Sequence, residues 1–410
     1  MVLMQMEQPD GSRQSFDRLL TKTHVAYALV QPQGKLNDLP AVLAIVKLLG
    51  GTEPQLQAIY DAKSRDLEKW PIAPTRVYQA SRATFLGDER YQRAYMDFFS
   101  QELLQHSGRA NSMALYHLMS GREPLIYGLF AHSGQPLATL SDALELQSPI
   151  MVVQSLTLAS VYHDTALRDL LMEVQAVEPL SPTTHYQAPS SILQAIGHDG
   201  RFSNLVHQPG FKAGVRHVLT NKNTRDALIH YLRLLDISNP TTALQPLSQL
   251  SLTLLTATHK HGKPAFDYYL ANLPTLVNSV RILLAEFPSG DHAALLLRGL
   301  WMMFVLTYIT QMRPIVDISV QLTGALPKKE TYANWDAIFA EFRNDPLTPD
   351  SKYVDSQFLR TLRSIYELER HGCCSVGDGV IAGYKLRWQW RRWAGLGNDG
   401  GQGEGLDVRL

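Results

Sequence analysis

Two short constellations in this 410-residue chain pair a carboxylate with groups that can donate a proton. Glu123 and Tyr127 stand four apart, a spacing that on a helix puts both on one face. There a carboxylate of raised pKa in an aromatic-lined pocket could serve as base and the phenol as donor. The plainer reading sets Glu123 in the first turn of a short helix beside Pro124. Asp267, Tyr268 and Asn272 form the second group; Asp267 and Asn272 only loosely share a face, and a buried network closing a bundle would use the same residues. His132, just after the Glu123 segment, is a further acid/base and substrate-contact candidate. Arg298 interrupts an apolar helix, so its guanidinium needs an acceptor: a structural ion pair, or an anionic or phenolic ligand that it anchors. His259-Lys260-His261 is the only close histidine pair, and with no third ligand nearby no metal is expected there. His163-Asp164 and His198-Asp199 read as surface or cap pairs. A Ser-centred elbow, a phosphate loop and a dinucleotide fingerprint are all missing.

The elements that must position these residues are helices. His259 to Asp317 holds the longest apolar run: one helix after Gly262-Lys263-Pro264 to Phe287, a tight turn, and a second from about Asp291 to Arg313. Arg298 breaks the run and Gln311 and Arg313 close it, so the second helix is expected to be buried at the centre of a bundle and not to span a membrane. Pro40 and Gly50-Gly51 bracket another helix, Thr52 caps the next, and Tyr91, Tyr95, Phe98, Phe99 and Leu103 share one face of a third. Further helices are expected over 112–119, 125–130, 137–146, 149–163, 224–235, 244–258, 334–342 and 356–370. Pro179 to Gly214, rich in Pro, Ser, Gly and His, reads as a long loop or lid. Only Val376 to Ile381 and the alternating Leu386 to Trp390 suggest strands. Tyr384 to Trp393 could lie on a membrane surface or a neighbouring subunit, or pack back on the core.

An all-α fold follows, a large single-domain helical bundle of about fifteen helices around a long central hydrophobic pair. Its expected limits are 16–393, between a disordered polar start (1–15) and a disordered Gly-rich tail (394–410). Hydrophobic residues at 45% supply an ample core, and 38 basic against 38 acidic residues give no electrostatic reason for a nucleic-acid partner. Adjacent Cys373 and Cys374 rule out a disulfide scaffold, and with no apolar signal core at the start a cytoplasmic protein is expected.

Several stretches in this order resemble the questin oxidase-like family: LAIVKLLGGTEPQLQAIYD, YQRAYMDFFSQELLQHSGR, GREPLIYGLFAHSGQPLATLSDAL, GKPAFDYYLANLPTLVNSV with LTYITQMRP, and DSQFLRTLRSI. The similarity runs roughly from residue 16 to residue 370. It implies a helical enzyme of fungal secondary metabolism that oxidises aromatic polyketides, by Baeyer-Villiger-type oxygenation or ring cleavage, in some members with a non-haem iron held by histidines and a carboxylated lysine. At the family's ligand places this chain has Asp38, Ala41 and Val42; Glu123 and Tyr127; Asn272; Gln357; and Arg360 in place of lysine. Arginine cannot be carboxylated, and Asn, Gln and Tyr are poor substitutes for imidazole.

The expectation is therefore a metal-free tailoring enzyme acting on a hydrophobic polyketide-like molecule by cyclisation, dehydration, isomerisation or ring opening. Glu123, Tyr127, Asp267 and Arg360 are its catalytic candidates; Tyr268, Asn272, Arg298, Gln357 and His132 are its substrate-binding candidates. The alternatives are an oxygenase like its family, with non-haem iron or without a cofactor, and a non-catalytic protein that binds an intermediate or a partner enzyme. The expected partner is a small hydrophobic substrate, with room for a homodimer.

Overall fold

The computed structural model describes residues 11–176, 186–206, 208, 210–259, 264–287, 290–317 and 334–394. Seventeen α-helices are found among them. They are α1 (Gly11–Ala26), α2 (Leu39–Leu48), α3 (Glu53–Lys63), α4 (Gln92–Gln105), α5 (Ala110–Met119), α6 (Gln135–Glu145), α7 (Pro149–Val161) and α8 (Thr165–Ala176). There follow α9 (Pro189–His198), α10 (Phe211–Thr220), α11 (Lys222–Arg233), α12 (Pro240–Thr256), α13 (Tyr268–Glu286), α14 (Gly290–Thr310), α15 (Trp335–Asn344), α16 (Ser356–Arg370) and α17 (Asp378–Gln389). The fold is all-α, and α1 already starts within the stretch expected to be a polar tail.

Local chemistry accounts for the boundaries. Pro40 opens α2, and Gly50 at φ 77° follows its end. Thr52 and Gln55 close a reciprocal capping box on α3. Asp267 caps α13 by accepting from the amides of Tyr269 and Leu270, both at 2.8 Å.

Helix α13 is the hub: it packs against α6, α12, α14 and α16. Helix α14 is long and apolar enough to cross a membrane, yet 89% of that window is buried against protein, the behaviour of a core helix. Inside α13, Pro274 removes one N–H from the ladder, and the neighbouring Ala271 carbonyl takes a bond from Thr361 Oγ1 of α16 at 2.9 Å.

Three expectations of local structure are corrected. The region 179–214 is not one loop, since α9 and the start of α10 lie in it; its residues 179–185, 207 and 209 are outside the described set. The apolar spacing Phe211, Val215, Val218 marks α10 as amphipathic, and all three side chains are buried. The stretches read as strands, 376–381 and 386–390, mostly belong to α17, whose Leu386 is buried and Trp388 exposed. The two strands among the described residues are two-residue elements, β1 (Phe266–Asp267) and β2 (Trp393–Ala394), paired in parallel with Phe266 opposite Trp393. The tryptophan-rich end thus packs back on the core. Residues 395–410 lie outside the described set.

Candidate functional site: a cleft between seven stretches of chain

A cleft of about 980 Å³ opens where seven distant stretches meet. They are Gly34 to Ala41 at the start of α2, Glu89 before α4, the His132-to-Gln135 turn, Tyr162 and Asp164 after α7, α10, the first residues of α13, and the first turns of α16.

The His132 turn is its most constrained wall. His132, Ser133 and Gly134 lie at φ 46°, 56° and 78°, three consecutive residues in the left-handed region. Two of them carry side chains, at a cost of about 1–3 kcal/mol each. Local bonds hold the turn: the Gly134 amide donates to the Ala131 carbonyl at 2.9 Å, and Asn272 Nδ2 of α13 donates to the Ser133 carbonyl. The His132 ring lies flat on Tyr162, centroids 4.1 Å apart and planes 7° apart. Desolvation by the surrounding protein, and then the nearby Lys212 ammonium, lower the His132 pKa to about 4 even though the residue is exposed where it lines the cleft. The imidazole is therefore neutral at neutral pH. Burial pushes the Tyr162 and Tyr268 phenols up, so both stay protonated.

Arg360 lies on the inner wall. Its Nη1 donates to Gln135 Oε1 at 3.0 Å and its Nη2 to Asp142 Oδ2 at 2.5 Å, joining α16 to α6. Both side chains are about 5% exposed. Burial pushes the Asp142 carboxyl up, while the guanidiniums of Arg360 and Arg363 oppose that shift. Gln357 donates to Thr361 Oγ1 at 3.1 Å, and Asp38 is paired with Lys63 at 2.9 Å. Tyr269 stacks on Phe211 at 5.7 Å, and Tyr268 meets Trp393 edge-on at 5.9 Å.

Of the candidates read from sequence, His132, Tyr268, Gln357 and Arg360 line this cleft. Asn272 sits behind it, buried, bracing the His132 turn. The other four do not line it. Glu123 is in a bend before the 3-10 turn Leu125–Phe130, with Pro124 extended at ψ 135°, so it shares no helical face with Tyr127. Its carboxylate pairs with Arg168 at 2.9 Å, and its carbonyl accepts from Arg82 at 2.8 Å. Tyr127 is half-buried beside them, its phenol pushed up by burial. Asp267 is turned into its helix cap, and Arg298 donates to the Val174 carbonyl in the last turn of α8 at 2.8 Å. Arg298 thus meets its need for an acceptor with a backbone carbonyl.

Of the pair read as surface or cap residues, His163 is buried, while Asp164 does cap, accepting from the Ala166 amide at 2.9 Å. His259 is buried as well; Lys260 and His261 lie outside the described residues. Sequence reading missed Tyr162, Lys35, Lys212, Arg216 and Gln135 as cleft residues. For Lys212 and Arg216 the signal existed, an i, i+4 pair on an amphipathic helix; for the others only the fold brings them in.

The profile described as Questin oxidase-like matches residues 37–365. The chain belongs to the questin oxidase-like family. Membership makes it an enzyme of an oxygenase-type family of secondary metabolism. No curated protein matches the chain.

The resemblance implies a non-haem iron in some members of the family, and the donor set here does not fit it. Of the places where the resemblance puts ligands, Asp38, Ala41, Gln357 and Arg360 do converge on the cleft. They offer a carboxylate already paired with Lys63, a methyl, an amide and a guanidinium. A fixed cation facing the same space repels a metal ion and donates no lone pair. Val42 is in the apolar core, and Glu123 and Tyr127 stand apart from the cleft. Among the described residues no group of three or more His, Cys, Asp or Glu side chains is placed to hold a metal.

Proposed function

We propose that this questin oxidase-like protein is a tailoring enzyme that acts on a hydrophobic aromatic, polyketide-like intermediate by metal-free proton-transfer or pericyclic ring chemistry: cyclisation, dehydration, isomerisation or ring opening. What supports this is the neutral imidazole of His132, stacked on Tyr162 at 4.1 Å and open to a cleft that also holds Arg360, Gln357 and Tyr268.

The residues divide the work. The stacked pairs His132–Tyr162 and Phe211–Tyr269 offer aromatic surface for a planar substrate. His132 offers a lone pair to a phenol or an acidic C–H, and negative charge growing on the substrate beside it raises its basicity as the proton moves. The Tyr268 phenol, still protonated, donates a hydrogen bond to developing oxyanion charge, with the Gln357 amide as a second polar contact. Arg360, locked to Gln135 and Asp142, presents its guanidinium on the inner wall.

The test is to incubate the full-length protein with hydroxylated aromatic polyketides and follow product mass and dissolved oxygen together. The expected products are isomers or dehydrated forms of the substrate, made without oxygen uptake and undiminished by chelators. One iron per chain with activity lost on chelation would overturn the proposal. A second reading, oxygenation, is favoured by family membership itself; oxygen attacking an electron-rich phenolate would then need a base such as His132, and oxygen uptake matched to product would establish it.

A further inference from the structure

Helix α10 turns a charged face to the cleft. Lys212 and Arg216, one turn apart, line it together with Ala213, His217 and Thr220, and Lys35 lines it from the loop before α2. All three cationic side chains are exposed, and among the described residues none of them forms an ion pair. The remaining charges around the cleft are largely accounted for. Asp38 is paired with Lys63, Arg360 with Asp142, and Asp164 accepts from the Ala166 amide. Glu89, next to Tyr162, is the lining acid that no such bond occupies among the described residues.

Helix α10 also begins in the cleft: Gly210, Phe211, Lys212 and Ala213 line it, Gly210 carries no side-chain cap, and the first ladder bond runs from Gly214 to Gly210. The amides of its first turn therefore add positive potential at the place where Lys212 stands. Deeper in, Arg360, about 95% buried, has its Nε without a partner among the described residues. Phe211, the first residue of α10, stacks on Tyr269, so the charged face stands beside an aromatic floor.

We propose that the molecule this cleft accepts is an aromatic acid: a fused-ring body stacked on the His132–Tyr162 and Phe211–Tyr269 faces, with a ring carboxylate held by Lys212 and Arg216 of α10 and by Lys35. This deepens the proposed function and rests on the cleft being the substrate site. It fixes the polarity of binding. The acid group faces the mouth, where the cations are still solvated and lose little on pairing, and the reacting part of the ring lies against His132 and Arg360.

Two fluorescent probes with the same ring system separate the possibilities: a hydroxynaphthoate, and the corresponding naphthol without the carboxylate. Both are titrated into the full-length protein. The hydroxynaphthoate is expected to bind about tenfold or more tightly than the naphthol, with an advantage that shrinks as salt rises. The double variant Lys212→Gln, Arg216→Gln should lose that advantage while binding the naphthol unchanged. Lys222→Gln, on the neighbouring helix and outside the cleft, should alter neither. All three positions are exposed, so the variants are expected to fold. Equal binding of the two probes to the native protein overturns the carboxylate assignment and leaves the cleft as the substrate site. A double variant that keeps the full preference for hydroxynaphthoate overturns it as well. Failure of both rings to bind overturns the cleft reading and this inference with it.

Discussion

His132 illustrates how one residue's surroundings set its chemistry. Its pKa falls to about 4 because protein surrounds the ring and Lys212 stands nearby, so it gains a proton only in strong acid. Turnover should accordingly be lost as pH falls through about 4 and be insensitive to this group at neutral pH. His132→Gln should lower kcat by about a hundredfold or more, as measured by product formation. Asp267 shows the opposite shift. Burial raises its pKa to about 7, against the bonds from Leu270 and Tyr269 that pull it down. A raised carboxyl pKa means that the folded state holds the proton more tightly than the unfolded chain. The contribution of Asp267 is therefore present below about pH 4 and is lost as pH rises towards 7. Asp267→Asn keeps an oxygen for the cap and cannot ionise. Melting curves should show the variant gaining on the native protein steadily between those pH values, and parallel curves would refute the assignment.

Pairs of elements carry the next level of specification. The Arg360–Asp142 pair fastens α16 to α6 beside the cleft, both partners almost wholly buried. Arg360→Ala strands a carboxylate in the core and should cost about 3–5 kcal/mol in urea unfolding. Arg360→Met with Asp142→Leu removes both charges and should recover most of that loss. The 3-10 turn Leu125–Phe130 approaches α7 so closely at Gly128 that a Cβ there would stand 2.2 Å from the Ala159 carbonyl oxygen. Backbone cannot step aside as a side-chain tip can, so Gly128→Ala should destabilise by at least about 1–3 kcal/mol. Gly200→Ala, with nothing within 4 Å of its new methyl, should be close to neutral.

At the scale of the whole molecule, one residue near position 390 ties together helix starts that lie far apart in sequence. Trp393 pairs with Phe266, meets Tyr268 edge-on, and donates from Nε1 to both carboxylate oxygens of Asp355 at 3.1 and 3.0 Å. Asp355 in turn caps α16 through the Phe358 amide at 2.7 Å. One side chain thus braces the first turns of both helices that present Tyr268, Gln357 and Arg360. Trp393→Ala should speed hydrogen exchange at the starts of α13 and α16 and weaken probe binding, with far less change in exchange across α14. Uniform loss of protection would show that the bracing is not local.

The sequence by itself determined most of the helices, though α9 and α10 read as loop and α17 as strand, and where it succeeded it did so because the causes are local. Apolar residues recur every three or four positions, Pro and Gly mark starts and stops, and Thr52 closes its capping box within four residues. It also showed that a guanidinium, an amide and a small methyl had taken the places where the family resemblance puts metal ligands. Only the tertiary structure decided which polar residues share a space. Glu123 and Tyr127 look like a pair at four residues' separation, yet the partner of Glu123 is Arg168, 45 positions on. Asn272 meets the Ser133 carbonyl across 139 positions, and Arg360 meets Asp142 across 218. Such contacts depend on how α13 packs between α6 and α16. Short-range spacing carries no information about that packing, because each helix would form the same turns whichever neighbour it met.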